Sequence, residues 1–376
     1  MRQARSCAGI LFLSALFAFL PASHAYAQDI LFGVSTAITG PAPLDGERTK
    51  QGVLMAVEEI NQRGGVLGKK LTPIIEDDQN TSNVAVNAVN KLVSQPIVAL
   101  VGPHRSANAT AVNNIVTRNK IPYLTGATSP KLLALNNPYF FRTRASDAIV
   151  AKIAAKYAVE ELKAKKVGIF FNNDEYGTGA RDVIESYLKS INVAFISEGH
   201  NTGDKDMTGQ IMKAKNNKID ALIVWAHDPE CAVSARQAKE LNLAAPFIGS
   251  PGYSTSSVLD LLDTTVSNGI ITVTDFVANT PEPKVQQFTQ KFRQKYNVDP
   301  ELYAASYYDA VYILADAIKR ANSTEREAIR KALSETKGFQ GVMSTLAANA
   351  KGELVHEAVV AKIQDKSPQL IKIVRD

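Results

Sequence analysis

Short apolar runs rich in Val, Ile, Leu and Phe alternate with amphipathic helical stretches along almost the whole chain, which predicts an α/β fold of parallel sheets covered on both faces. The length, 376 residues, calls for two domains at roughly 100–200 residues each. The same series of strands and helices begins again near Ser146-Asp147, so the second half should repeat the architecture of the first.

The first predicted strand is Ile30–Ser35. The loop Thr39-Gly40-Pro41-Ala42-Pro43 leads into a helix predicted over 46–63, where Val53, Ala56, Val57 and Ile60 recur on one face and Gly64-Gly65 ends the helix. A strand predicted over 73–76 follows, then a helix whose start is signalled by Thr81-Ser82 and whose buried face reads Val86, Val89, Leu92 and Val93. A strand over 98–101 and a helix over 107–119 make the next unit. The second series reads helix 147–162, strand 167–171, helix 176–190, strand 193–196, helix 208–217, strand 221–225, helix 229–241 and strand 247–249. Helices predicted over 284–296, 304–320 and 325–334 exceed what a second lobe needs, and a chain that returns to its first lobe accounts for them. No long Gly- and Ser-rich stretch separates the two series, so the connections should be short.

Ahead of these elements, Arg2 and Arg5, an apolar run from Ala8 to Leu20, Pro21 and Ala25-Tyr26-Ala27 form the pattern of a secretory signal peptide cleaved after Ala27. The thirteen-residue run is shorter than the ~18–20 residues that span a bilayer. Cleavage leaves 349 residues with a net charge of +3 instead of +5, and Cys231 as the remaining cysteine, so an intramolecular disulfide is excluded. The protein is expected in the periplasm. With 45% apolar and 21% charged residues the composition is that of a globular protein, and the absence of any run of five like charges gives no nucleic-acid footprint.

The motifs of common enzymes are missing. Gly177-Thr178-Gly179 fails as a dinucleotide fingerprint because Asp182 stands at the third glycine, and Gly64-Gly65-Val66-Leu67-Gly68-Lys69-Lys70 follows a predicted helix where a phosphate loop would precede one. His104, His200, His227 and His356 are too dispersed to suggest a metal cluster, and the pair His227-Asp228 has no nucleophile motif beside it. Asp77-Asp78 could act as paired acids, but carboxylates at a strand end more often cap the next helix. Asp204-Lys205-Asp206 suits a solvated helix N-terminus. No catalytic residue, metal or cofactor is expected.

Ligands of open α/β sheets gather at the carboxyl ends of the strands, where helix N-termini offer free N–H groups and partial positive charge. Three loops fit. Gly102-Pro103-His104-Arg105-Ser106-Ala107 and Thr125-Gly126-Ala127-Thr128-Ser129-Pro130 are rich in hydroxyls, and Asn172-Asn173-Asp174-Glu175-Tyr176-Gly177-Thr178-Gly179 brings an aromatic to a helix start in the second lobe. For Ser106 and Thr128, helix capping and ligand contact are equally compatible with the spacing. Tyr176 fits either a half-buried aromatic or a ligand contact. Together the three loops suit a small carboxylate-bearing molecule held between two lobes.

At these loops the sequence closely resembles the periplasmic leucine/isoleucine/valine-binding protein family, the solute receptors of branched-chain-amino-acid-type ABC importers. The resemblance rests on Thr39-Gly40-Pro41, Ile60-Asn61-Gln62-Arg63-Gly64-Gly65-Val66-Leu67-Gly68, Ala127-Thr128-Ser129-Pro130, Phe141-Arg142, Tyr176-Gly177-Thr178-Gly179 and Lys351-Gly352-Glu353, in that order and spacing. It implies the type I periplasmic binding fold: two Rossmann-like lobes with parallel central sheets, joined by three crossovers near Ala145-Ser146, Thr274-Asp275 and Gly352-Glu353. The lobes would then be residues 28–145 with 275–352, and residues 146–274 with 353–376.

The resemblance also implies that Ser106 and Thr128, with the backbone of Gly126 and Ala127, take a ligand carboxylate, and that Tyr176 contacts the ligand from the other lobe. His227 stands where the family has a second tyrosine, and Pro251 where its amino-acid binders carry the acid that pairs with the ligand ammonium. Asp228 or Glu230 could compensate; otherwise the ligand lacks an ammonium and resembles those of the family's organic-acid, aromatic-acid or amide binders. Asp45 replaces an aromatic at the cleft mouth, and Arg105 and Tyr253 are further candidates from the same loops. The function implied is that of a non-enzymatic, monomeric receptor that captures an amino acid or related acid by hinge closure and delivers it to ABC permease subunits in the cytoplasmic membrane. The alternative is a sensor of amides or amino acids that acts on a signalling partner.

Overall fold

Side chains of a strand alternate between faces, so a strand apolar on both sides needs cover on both. In β1 (Ile30–Thr36), Ile30, Phe32 and Val34 join one core cluster while Leu31 packs against another. The computed structural model describes residues 28–374 except 350, 352 and 356. The proposed signal segment 1–27, Gly352 and His356 lie outside the described residues.

Around β1 runs a parallel sheet in the order β2 (Leu71–Asp77), β1, β3 (Leu100–Val101), β4 (Tyr123–Thr125) and β5 (Phe140–Arg142). Helix α1 (Pro43–Gln62) covers one face; α2 (Ser82–Val93) and α3 (Ser106–Arg118) cover the other. A second sheet contains β6 (Lys166–Asn172), β7 (Ala194–His200), β8 (Ala221–Trp225), β9 (Phe247–Gly249) and β10 (Ile271–Thr274), parallel in the order β7-β6-β8-β9-β10. Its faces are covered by α4 (Asp147–Lys156) and α5 (Glu175–Ser190) on one side. On the other lie α6 (Thr208–Asn216), α7 (Asp228–Glu240), α8 (Ser256–Leu259) and α9 (Thr264–Ser267). The alternation seen in β1 recurs in β8: Ala221, Ile223 and Trp225 face α4 and α5, whereas Leu222 and Val224 face α6 and α7. Both sheets thus have the order 2-1-3-4-5 of a doubly wound fold.

The surplus helices α10 (Pro283–Tyr296), α11 (Leu302–Ala321) and α12 (Arg326–Ser334) pack into the core beneath α1. The small strands β11 (Phe339–Gln340), β12 (Thr345–Ala348) and β13 (Leu354–Val355) form an antiparallel sheet, and β14 (Ala358–Gln364) and β15 (Ser367–Val374) then extend the second sheet antiparallel beyond β10. The chain passes from the first core to the second between Phe141 and Ala145, returns between Val273 and Phe276, and leaves again between Leu354 and Ala358. The last passage is a few residues beyond Gly352-Glu353, because Glu353 lies 3.3 Å from the buried Arg142 guanidinium and Leu354 still packs in the first core.

Helix α1 starts at Pro43, three residues before the predicted start. Proline is pre-set for the first helical turn, and its lack of an N–H costs nothing there. This first turn lies hard against the loop after β1. A Cβ on Gly46 would come within 1.6 Å of the Ala37 carbonyl oxygen. Gly46→Ala should therefore displace the turn that carries Asp45 and destabilise the protein by about 1–3 kcal/mol, the usual cost of overpacking. Urea denaturation checks this; a change within about 0.5 kcal/mol would show that the turn relaxes freely.

Candidate functional site

In each sheet the strand order reverses next to the central strand, between β1 and β3 and between β6 and β8, and there the loops at the carboxyl ends part to leave a crevice. The two crevices face each other. Loops following β1, β3 and β4 in one lobe and β6, β8 and β9 in the other enclose a cavity of about 110 Å3. One water needs about 10–15 Å3 of such space, so the cavity admits one small organic molecule.

On the first-lobe wall, Ser106 is the first residue of α3 and is 3% exposed. Its oxygen accepts the Ser129 N–H at 3.2 Å, which leaves its own proton for an acceptor in the cavity. Arg105 occupies the N-cap of α3 and gives no side-chain cap, so the first turn keeps unsatisfied N–H groups and its partial positive charge. The Arg105 Nη1 donates to the Asn80 carbonyl at 3.2 Å. Thr128 donates its hydroxyl proton to Asp147 Oδ2 at 2.8 Å, and burial pushes the Asp147 carboxyl up to about 7. The Gly126 N–H points to the Tyr307 hydroxyl at 3.3 Å. His104 lies 4.9 Å from the Tyr303 ring, and burial, with the charges of Arg105 and Arg144, pushes the imidazole down to about 3. It is neutral.

On the opposite wall Tyr176 sits in the first turn of α5. Its ring stacks on His227 with centroids 5.0 Å apart and lies 6.3 Å from Trp225. Asp174 caps α5 by accepting the Gly177 N–H at 3.0 Å, and its other oxygen is 2.6 Å from His227 Nε2. Burial works against the Asp174 charge, but the bonds from His227 and Gly177 hold the carboxyl down at about 2. Burial and the Arg105 charge lower His227 and outweigh Asp174. A neutral imidazole must donate from Nε2 to a carboxylate, which leaves Nδ1 as an acceptor.

The lobes also touch directly. Asp45, in the first turn of α1, accepts the Ser257 hydroxyl at 2.5 Å. Ser129 Oγ donates to the Glu175 carbonyl at 2.8 Å, and Lys131 Nζ to Thr178 Oγ1 at 2.8 Å.

Two sheets of order 2-1-3-4-5 that present one shared cavity between their carboxyl ends set the architecture, and the sequence matches it: a family model described as periplasmic binding protein covers residues 29–368. The chain belongs to the periplasmic binding protein family. It is 29% identical over 349 residues to the Leu/Ile/Val-binding protein BraC3 of Rhizobium johnstonii, covering 92% of this chain and 94% of the relative. The branched-chain amino acid transporter substrate-binding protein LivJ of Streptococcus pneumoniae, solved with isoleucine, matches with a TM-score of 0.84 at 25% identity over 92% of this chain and all of that one (100%). A solute-binding protein from R. palustris, solved with benzoate, matches with a TM-score of 0.82 at 17% identity over 92% and 96% of the two chains. This is the two-lobed type I periplasmic binding fold, within the family of branched-chain amino acid ABC transporter substrate-binding proteins.

In this periplasmic binding protein, Asp45, Arg105, Ser106, Gly126, Thr128, Tyr176, His227, Asp228 and Pro251 all line the cavity. Two of the predicted residues do not. Ala127 packs into the core beside α3 and gives its N–H to Thr125 Oγ1 at 3.1 Å. Tyr253 is fully buried behind the wall, where its hydroxyl donates to the Cys231 carbonyl at 2.8 Å. Residues absent from the sequence-based set also reach the cavity, among them Asn80, Arg144, Thr202 and Tyr303. Tyr303 arrives from the start of α11, far along the chain from the loops it joins.

Proposed function

We propose that this protein is the exported solute receptor of a branched-chain-amino-acid-type ABC importer, capturing one small carboxylate-bearing molecule between its lobes and delivering it to the membrane permease. It binds without turnover and acts as a monomer. The first lobe comprises residues 28–145 and 275–355 and the second the intervening and final residues, and hinge motion at the three passages opens the cleft. In this reading opening would break the Asp45–Ser257, Ser129–Glu175 and Lys131–Thr178 contacts, and these contacts support taking the form described as the closed one.

The observation that carries this reading is the Ser106 corner, where an undonated hydroxyl and an uncapped helix start meet at the cavity wall. A carboxylate seated there takes charge-assisted hydrogen bonds, each stronger than a neutral one. Thr128 has a supporting part, since its proton is committed to Asp147.

Calorimetric titration with leucine, isoleucine and benzoate tests the reading. At least one should bind, and Ser106→Ala should weaken that ligand about 10- to 100-fold, the loss of one hydrogen bond to a charged group. Unchanged affinity in Ser106→Ala would overturn the carboxylate assignment.

A further inference from the structure

We propose that Asp45 and Asp228, one from each lobe, form the seat for a cationic nitrogen of the ligand, so that the molecule captured is an amino acid and not a simple organic acid. This rests on the reading of the cleft as a carboxylate-capturing site.

Asp45 is 2% exposed and Asp228 8%; both line the cavity, one from each lobe, near enough that each shifts the other's titration. Among the described residues no Lys or Arg forms an ion pair with either, and no backbone N–H donates to either carboxyl, so the helix starts that carry them do not account for their burial. Asp228 lines the cavity, and its Oδ2 is buried and receives no hydrogen bond from the protein's N–H or hydroxyl donors. The same holds for Glu230 Oε2, while Glu230 Oε1 takes the Gly203 N–H at 2.5 Å. A carboxylate oxygen can only accept, so these orphaned atoms call for a donor in the cavity.

Positive charge near the pair comes from Arg105, which lines the cavity and favours both ionised carboxyls without pairing with either, and burial outweighs it. Arg105 is turned to the Asn80 carbonyl, and Arg48 lies 3.9 Å from Glu301, a further buried acid behind Asp45. Two facing carboxyls in such a place must share a proton or bind a cation. Burial, reinforced by the Asp228 charge, pushes Asp45 well above the ordinary range, so the empty pair holds a proton that an arriving ammonium displaces.

The position also fits the altered loop after β9. A Cβ on Gly252 would lie 3.0 Å from Asp228 Oδ1, so the Asp228 carboxyl reaches the wall formed by Pro251 and Gly252, where the sequence offers no acid of its own. With the anion corner at Ser106 and the cation seat at Asp45–Asp228, the cavity has the two charged ends of a zwitterion. Tyr176 and Tyr303 supply apolar surface between the lobes.

The test is calorimetry on the mature protein with matched pairs: leucine against 4-methylpentanoate, phenylalanine against 3-phenylpropanoate, and benzoate alone. 5-Aminopentanoate is added to separate a terminal ammonium from an α-ammonium. An ammonium-bearing member should bind on the order of 100-fold tighter than its ammonium-free counterpart, as expected for a buried charge pair. Asp228→Asn and Asp45→Asn should remove most of that preference. Binding should release a proton, seen as a heat that varies with the ionisation enthalpy of the buffer. Equal affinity of the ammonium-free acids for the wild-type protein overturns the cation seat while carboxylate capture stands, and this comparison does not depend on how well the variants fold. If none of these probes nor any other proteinogenic amino acid binds, carboxylate capture itself fails and the cation seat with it.

Discussion

Asp275→Ala is expected to destabilise the protein by about 3–5 kcal/mol, the cost of stripping one partner from a buried ion pair. Arg144 donates to the two Asp275 oxygens through Nε and Nη2 at 2.9–3.3 Å, and the Ala145 N–H adds a bond at 3.1 Å. Both side chains are buried. Burial opposes the guanidinium charge, and the Asp275 carboxylate more than offsets it, holding Arg144 above its ordinary range. The two residues stand at the first and second passages between the lobes, so the pair ties the two connecting segments together. The Arg144 guanidinium also lies 5.5 Å from the centroid of the Tyr303 ring at the cavity wall. Losing Asp275 should therefore weaken ligand binding as well as stability. Asp275→Asn keeps an acceptor but loses the charge, and should fall between wild type and alanine. Urea denaturation of the three proteins decides the matter: a loss below about 1 kcal/mol for the alanine variant would mean that Arg144 finds another partner.

The parts of this molecule that follow simple periodicity were legible in the sequence. Ile30, Phe32 and Val34 announce a strand buried on both faces, and Val53, Ala56, Val57 and Ile60 announce the face of α1. What escaped was set by geometry that periodicity does not encode. The hairpin of β14 and β15 turns through Asp365 and Lys366, with φ of 49° and 57°. Such turns are usually signalled by Asn-Gly or Asp-Gly, and an Asp-Lys turn gives no such signal.

The site shows the same division. Ser106 was readable as a hydroxyl at a helix start, but whether it caps the helix depends on one residue of offset. Arg105 takes the cap position, and that frees the Ser106 hydroxyl. Ala127 and Tyr253 sit in loops that do reach the cavity, yet their side chains face the cores behind it. Tyr303 and Arg144 were out of reach because their place in the cleft comes from the passages between lobes. In the sequence they are one aromatic of a mostly apolar helix and one arginine after a short strand.

Without ligand, Asp228→Asn should gain stability relative to the wild type as pH rises from about 4 to 8. The sign follows from proton uptake. Burial, with Glu301 adding to it, pushes Asp228 up to about 6, and burial pushes Glu301, Asp147 and Asp309 up to about 7. In the unfolded chain these groups titrate near 4, so between about pH 4 and 7 the folded state holds more protons. The stability they contribute is complete below the unfolded values and disappears as pH climbs through the folded ones. Asp174, held at about 2, contributes with the opposite sign as pH falls from 4 toward 2, and the buried His104 and His200, pushed down to about 3 and about 4, do so up to about pH 6.5; these groups are common to both proteins and cancel in the comparison. Asparagine at 228 has no proton to lose. The variant should match the wild type below about pH 4, exceed it by about half of the full effect near pH 5 and by up to about 3 kcal/mol at pH 8, the free energy of ionising a carboxyl whose pKa burial has raised by roughly two. Ligand binding follows the same titration, because an ammonium seated on Asp45 and Asp228 needs them ionised: affinity for an amino acid should rise over the same interval. Denaturation and calorimetry across this range separate the two, and a difference between variant and wild type that does not grow with pH would show that Asp228 takes up no proton on folding.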